Sequence, residues 1–371
     1  MEIERRRGGC MTRSPGIVIM AGGTGGHVFP ALAVADVLRS RGHSVTWIGT
    51  RQGLEARIVP AAGIPVEWID VGGVRGKGMG ALLKAPFVLS RALLQSMGIF
   101  RRLKPVAALG MGGFASGPGG IAARLAGCPL VVHEQNAVPG VTNRILSRVS
   151  SELLEGFPGS FPSGRRARYV GNPVRQVIAA LPAPEQRFAG REGPLRLLVL
   201  GGSQGARVLN QNVPAAVGLL KRGSVEVLHQ TGVKDAEAVA TLYRDQGIEA
   251  RVTPFIDDMA AAYAWADLAV CRSGALTIAE LAAAGLGALL VPFAAAVDDH
   301  QTKNARFLVE QGAALLLAQS AATTEALAGA LQALLQDRRQ PLIMAQAARA
   351  LARVDAADVV ADACLAAGGL P

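Results

Sequence analysis

Aromatic side chains are scarce in this chain: Phe, Trp and Tyr make up 4% of its 371 residues. So few rings leave little for stacking successive bases, which argues against a nucleic-acid partner despite a net charge of +10. Cysteine is scarcer. Cys10, Cys128, Cys271 and Cys364 lie far apart, form no CxxC pair and have no histidine at metal-ligand spacing. A disulfide scaffold and a zinc site are therefore excluded, and a reducing cytoplasm fits. Long apolar runs are missing too. The longest uncharged stretch, residues 281–297, is divided by Gly285, Gly287 and Pro292 into an expected helix end and a short buried strand, not a membrane span. Residues 1–15 carry charge without an apolar segment of signal-peptide length and read as a disordered leader, with Met11 as an alternative start.

Acidic residues are absent from one long interval. None occurs between Asp70 and Glu134, whereas Arg75, Lys77, Lys84, Arg91, Arg101, Arg102, Lys104 and Arg124 all fall there. Residues 1–175 carry a net +13 and residues 176–371 a net −3. The first half is expected to face something anionic. Within it, residues 77–105 repeat apolar side chains at helical spacing (Leu82, Leu83, Phe87, Leu93, Leu94, Met97, Phe100) between basic flanks. Such a helix suits peripheral attachment to an anionic membrane surface.

What the chain does contain is apolar material for substantial cores, half of its residues, and a length that favours two domains. Short β-branched runs such as GIVIMA, SVTWIG, PVAALG and PLVVHE alternate with helical patterns, the rhythm of a parallel sheet covered by helices. The opening phrase then returns. GGTGG at residue 22 is echoed by GGSQG at residue 201, again between a strand and a helix, and further strands follow. Two doubly wound halves are expected, joined near Gly171-Asn172-Pro173.

A glycine-rich strand-to-helix turn brings bare amides and the positive end of a helix dipole to one spot, where phosphate binds. Such a turn also serves simply to pack a helix closely on a strand. A dinucleotide site would want an acid ending the second strand, and Thr50 stands there instead. A third turn, GMGGFASGPGG (residues 110–120), has more glycines than a strand-helix connection needs. Phosphorylated ligands held by several loops across one cleft explain the set.

GGTGGHVFP, MGGFASGPGG, HEQNAVPGVTN, GNPVR, GGSQGAR, PFIDDM, RSGALTIAE and DHQTKNA occur together and in order. This series closely resembles the MurG family of bacterial transferases, which convert lipid I to lipid II in peptidoglycan synthesis. The resemblance implies a GT-B glycosyltransferase: α/β, two Rossmann-like domains with mostly parallel sheets facing each other across a cleft. The expected division is an acceptor and membrane-associating domain over 16–173, a UDP-sugar-binding domain over 174–345, and a C-terminal helix over 346–371 that crosses back to the first domain.

The same resemblance assigns residues. UDP-N-acetylglucosamine would be held by Arg175, by Ser203, by Ile256 against the uracil, by Ala275, Leu276, Thr277, Ile278, Ala279 and Glu280 of RSGALTIAE, and by Gln301 on the sugar hydroxyls. Thr24, Gly25, Gly26 and Asn136 would meet the donor from across the cleft. From the residues themselves, Ser273 is placed to cap the RSGALTIAE helix, and Glu280 to reach the ribose hydroxyls. The reaction needs a base near the acceptor hydroxyl. A neutral His27 can fill that role; Glu134 is the rival, and the bland alternative is a His27 that only positions substrate. His133, His43 and His229 read as structural. No DxD triplet is placed to hold a metal on the diphosphate, so no metal and no cofactor are implied, and helix dipoles with Arg175 would stabilise the leaving group. The implied partners are lipid I, an anionic membrane surface, and cell-wall synthesis and division proteins, at the cytoplasmic face of the membrane. Two other readings stay open: a UDP-sugar 2-epimerase on a related fold, and a nonenzymatic membrane scaffold.

Overall fold

A computed structural model describes residues 16–72, 79–202 and 205–370; for residues 79–84 and 297 it describes the backbone alone. The first unit contains β1 (Gly16–Met20), α1 (Gly25–Ser40), β2 (Ser44–Gly49), α2 (Glu55–Ala61), β3 (Val66–Trp68), α3 (Met79–Leu103), β4 (Ala107–Gly110), α4 (Ser116–Leu125), β5 (Leu130–Glu134), α5 (Val141–Leu146), β6 (Glu152–Glu155) and β7 (Arg168–Tyr169). Its strands form one sheet in the order β3-β2-β1-β4-β5-β6-β7. Every pair in it is parallel. The linker bears two short helices, α6 (Gln176–Ala179) and α7 (Pro184–Phe188).

The second unit runs β8 (Leu195–Leu200), α8 (Arg207–Gly218), β9 (Val225–Gln230), α9 (Ala236–Asp245), β10 (Ala250–Thr253), α10 (Met259–Trp265), β11 (Leu268–Cys271), α11 (Ala275–Ala284), β12 (Ala288–Leu290), α12 (His300–Val309), β13 (Ala314–Leu316), α13 (Thr324–Gln336), α14 (Gln340–Ala350) and α15 (Ala356–Ala367). The order β10-β9-β8-β11-β12-β13 repeats the first sheet's winding, and it is likewise parallel throughout. In each sheet the winding reverses between a central pair, β1/β4 and β8/β11, where crevices open at the carboxyl ends of parallel strands. The glycine turns follow those strands.

Burial explains the strand sequences. Ile17, Ile19, Leu109 and Val131 fill a core on one face of the first sheet, while Val18, Met20, Ala108 and Val132 fill a core on the other. Strands covered on both faces cannot alternate apolar with polar, and β1 and β5 do not. Residues 281–297 divide where Gly285 adopts φ +63°, ending α11 before the buried β12. A side chain at Gly285 would also press on Pro184 and Arg349.

The C-terminal segment expected to cross back from residue 346 is two elements. Residues up to Ala350 finish α14, whose Ala348 and Met344 lie in cores of the second unit. The chain turns at residues 351–355, and α15 then packs on α1, with Val360, Ala361, Ala363, Cys364 and Leu365 in the core shared with Ile17 and Val131. The later starting point follows from two separate apolar stripes, each matched to a different unit. Arg41, the C-cap of α1, pairs with Asp358 at 2.7 Å and also with Asp362, tying α15 down.

Candidate active site

The first glycine turn is held from below by a buried acid. Glu55 accepts hydrogen bonds from the Gly23 amide at 2.9 Å, the Thr50 amide at 3.0 Å and the Thr50 hydroxyl at 2.8 Å. Gly23 has φ +91°, and a side chain on Gly113 would collide with the Gly22 backbone, so the first and third turns are stacked tightly. Thr24 is the N-cap of α1 with no side-chain cap bond, and Gly25 and Gly26 open the first helical turn. That turn therefore presents its amides without a capping oxygen. His27 sits in the same turn, half-buried, with Nδ1 2.9 Å from Gln135 Oε1.

Glu134, the rival base, is 1% exposed and fully engaged. One carboxylate oxygen accepts from the Asn136 amide at 2.9 Å and Asn136 Nδ2 at 3.1 Å; the other accepts from the Gly140 amide at 3.0 Å and Asn143 Nδ2 at 2.9 Å. Four donors on a buried carboxylate make a loop clamp, not an open proton acceptor. The loop it shapes reaches the other unit: Asn304 of α12, fully buried, accepts from the Ala137 amide at 2.8 Å. Its Nδ2 donates to Asn136 Oδ1 at 3.3 Å and to the Ser273 carbonyl at 3.2 Å.

In the second unit α11 begins after Gly274, whose φ −63° and ψ 146° make it the N-cap, without a side-chain cap bond. Ser273 was expected there; instead its hydroxyl is buried with no partner among the described residues. The first turn of α11, Ala275, Leu276 and Thr277, leaves its amides open, while Ile278 points into the core and Ala279 packs at its edge. Glu280 is not the open carboxylate expected. It is 5% exposed, accepts from Arg175 Nη2 at 2.9 Å and from the Tyr263 hydroxyl at 3.0 Å. Burial pushes its pKa above the usual carboxylate range, with Arg175 and Tyr263 holding it back. Tyr263, buried beside that carboxylate, is raised well above an ordinary phenol.

Arg175 also spans the cleft, its guanidinium 5.6 Å from the Phe29 ring of α1 and its Nε buried without a partner among the described residues. Gln301 Oε1 accepts from the Phe293 amide at 2.9 Å, which leaves its amide nitrogen as the remaining donor. Ile256 is 9% exposed and belongs to the core below α11. Ser203 lies outside the described residues. His229 is buried against Tyr243 and Asn210 and lowered to about 3; His43, after α1, has a buried Nδ1 without a partner among the described residues. Sequence reasoning missed Glu55, Gln135, Tyr263 and Asn304 as parts of this arrangement. For Asn304 and Gln135 the signal was membership of the quoted motifs; Glu55 and Tyr263 had none.

The glycosyltransferase family 28 N-terminal domain matches residues 17–154, and its C-terminal domain matches residues 196–360. The chain belongs to glycosyltransferase family 28. A family 28 relative from Nitrosococcus oceani is 55% identical over 350 residues, 94% of this chain and 98% of its own length. That relative is named UDP-N-acetylglucosamine–N-acetylmuramyl-(pentapeptide) pyrophosphoryl-undecaprenol N-acetylglucosamine transferase. The crystal structure of Acinetobacter baumannii MurG superposes with a TM-score of 0.83 at 42% identity, covering 95% of this chain and 99% of that one. A UDP-GlcNAc 2-epimerase from Neisseria meningitidis reaches a TM-score of 0.66 at 12% identity, covering 95% of this chain and 99% of its own, a likeness of fold alone.

Proposed function

We infer that this family 28 enzyme transfers N-acetylglucosamine from UDP-N-acetylglucosamine to lipid I, the undecaprenyl-diphosphate-linked N-acetylmuramyl-pentapeptide, yielding lipid II for peptidoglycan synthesis. One observation carries the reading of its site. The uncapped N-terminus of α1, bearing His27, and the uncapped N-terminus of α11 belong to opposed units bridged by Asn136, Asn304 and Ser273. That is a cleft with an anion-binding helix end on one side and a proton acceptor on the other.

In this reading the donor diphosphate lies at the open amides of α11 with Thr277 beside them, Ser203 is a further hydrogen-bond donor to it, and Arg175 neutralises its charge. Glu280 exchanges its Arg175 partner in part for the ribose hydroxyls, and Gln301 donates to the sugar. The backbone at Ile256 lines the uracil. Thr24, Gly25, Gly26 and Asn136 close on the donor from the first unit. His27 Nε2 takes the proton of the muramyl 4-hydroxyl as that oxygen bonds to the anomeric carbon. The bond from that carbon to the diphosphate breaks, and UDP leaves with the electron pair. A single displacement inverts the anomeric configuration. Transfer of labelled N-acetylglucosamine from its UDP donor to a lipid I analogue tests the whole proposal; no transfer by folded enzyme defeats it.

A peripheral position on the cytoplasmic face of the membrane is supported by α3, though with fewer open charges than its sequence suggested. Phe87 and Leu94 are 75% and 73% exposed on one face, whereas Ala92, Ile99 and Phe100 are buried. Arg91 pairs with Asp70 at 2.8 Å and Arg102 with Glu67 at 2.7 Å. Acids brought in from before the acid-free interval thus neutralise two of the basic residues counted on. No described helix is long and apolar enough to cross a membrane.

A further inference from the structure

Behind His27 runs a chain of hydrogen bonds whose direction can be worked out atom by atom. It begins at the linker. The Gly171 carbonyl lies 2.9 Å from His133 Nε2. A carbonyl only accepts, so His133 carries its proton on Nε2. His133 is fully buried in β5, and burial lowers it to about 4, so at neutral pH the ring is uncharged and Nδ1 is a bare acceptor. Gln135 Nε2 stands 3.1 Å from that Nδ1 and 3.2 Å from the His133 carbonyl.

Two acceptors around one end of the Gln135 amide settle which end is nitrogen. Turned over, the amide would set its oxygen against a ring lone pair and a carbonyl oxygen. Gln135 Oε1 therefore faces the other way, 2.9 Å from His27 Nδ1. Since that oxygen only accepts, His27 must hold its proton on Nδ1, and its lone pair is on Nε2. Gln135 itself is 1% exposed and fixed by its backbone, whose carbonyl accepts from Asn172 Nδ2 at 2.9 Å. His27 has little freedom to turn away, because Gly112 passes so close that a side chain there would meet its Cε1 and Nδ1.

We propose that Gln135 and His133 are positioning residues which, anchored on the Gly171 carbonyl, set the tautomer of His27 and aim its Nε2 lone pair into the cleft. This rests on His27 being the base. Neither positioning residue touches substrate. An unrestrained imidazole divides itself between two tautomers, and only one of them leaves Nε2 able to take a proton.

The test reads the ring directly. In full-length protein labelled with 15N-histidine and without substrate, long-range proton–nitrogen correlation at a pH where His27 is neutral should show the proton on Nδ1, with the signal assigned by its loss in His27→Ala. Gln135→Met, close in shape but without the acceptor, should abolish the pure Nδ1–H form. It should also lower kcat by roughly 10- to 1000-fold with KM for UDP-N-acetylglucosamine unchanged. Gln135→Glu keeps an acceptor opposite Nδ1 but sets its second oxygen against the His133 lone pair and carbonyl, so it should hold the Nδ1–H tautomer only where that carboxyl takes up a proton, a pH dependence that a merely structural glutamine would not predict. If Gln135→Met fails to fold, His133→Phe serves instead: Gln135 then loses the acceptor that orients it, and the tautomer should become mixed. A wild-type ring protonated on Nε2 overturns the proposal, as does a Gln135→Met protein that keeps both tautomer and kcat. Failure of the underlying reading looks different: near-normal kcat in His27→Ala would remove the base while leaving the observed tautomer in place.

Discussion

Both units wind their sheets in the same order, yet they use their buried glutamates in opposite ways. Glu55 in the first unit makes no ion pair among the described residues; its carboxylate is spent on the Gly23 and Thr50 amides and the Thr50 hydroxyl. Glu280 in the second faces a cation and a phenol, Arg175 and Tyr263. The first acid holds the backbone of the glycine turn in place. The second is exchangeable, because hydroxyl groups can replace one of its partners without leaving a charge bare. On the proposed reading, one scaffold serves acid–base chemistry on one side, where neutral groups direct a proton, and anion and hydroxyl recognition on the other.

Breaking the first side should have the largest effect. His27→Ala is expected to lower kcat by roughly two to four orders of magnitude while leaving donor affinity nearly unchanged. Glu134→Gln should cost turnover less, and mainly through the loop: its new NH2 would confront one pair of the donors that the carboxylate now accepts, at about 1 to 3 kcal/mol of stability. Steady-state kinetics on both variants decide between them. A larger kcat loss in folded Glu134→Gln than in His27→Ala would exchange their roles.

On the second side, Glu280→Ala should weaken UDP binding by on the order of 1.5 to 3 kcal/mol, read by titration calorimetry. It also strands Arg175 and the Tyr263 hydroxyl, so thermal stability should fall by about 2 kcal/mol. Glu280→Gln keeps an acceptor for Tyr263 and should recover part of that stability without recovering the UDP affinity. Unchanged affinity in either variant would take Glu280 out of the donor site.

The difference between the two glutamates bears on what could be read in advance. The repeated strand, glycine turn and helix made the two units legible, because a bare turn at the end of an apolar run has few other uses. His27, inside the first of those turns, could be singled out from the residues themselves, whereas Asn136, in the loop after β5, and Gln301, in α12, were assigned by the family resemblance alone. Glu55 was not: it opens α2 in an unremarkable stretch, and it is buried only because Gly23, distant in sequence, folds over it. Gln135 was hidden by its setting, since β5 is buried from Leu130 to Glu134 and shows no alternation to say which way the next side chain points. Glu280 was placed correctly on its helix, but its partners Arg175 and Tyr263 come from other elements, so its enclosure could not be foreseen.

One buried histidine in each unit gives a smaller, pH-dependent effect. Burial lowers His133 to about 4 and His229 to about 3, from an ordinary value near 6.5. Between those values the unfolded chain binds the proton and the folded chain does not. Stability is therefore complete above about pH 6.5 and falls as pH drops towards 3 to 4, by at most about 3 kcal/mol for His133 and about 5 kcal/mol for His229. Urea midpoints at about pH 7.5 and about pH 4.5 should differ, and His133→Phe and His229→Phe should each reduce that difference. Equal reductions would mean the two units unfold together; a reduction from one alone would mean that unit fails first in acid.

The smallest expected effect sharpens the charge contrast, +13 for residues 1–175 against −3 for residues 176–371. Net charge alone does not make a membrane surface, since Arg91 and Arg102 are already paired. Arg101 of α3 and Arg124 of α4 are exposed and make no ion pair among the described residues, and exposed Phe87, Leu94 and Leu125 lie on the same two helices. Each free charge near an anionic surface contributes about 1 kcal/mol, and salt screens it. Replacing Arg101 and Arg124 by Glu should therefore weaken binding to anionic vesicles by at least tenfold, whereas the same change at exposed Lys221 and Arg222 of the second unit should leave it within about twofold. Vesicle co-sedimentation reads both. If the two pairs behave alike, binding follows total charge; if neither matters and neutral vesicles bind equally well, the apolar side chains of α3 carry the attachment alone.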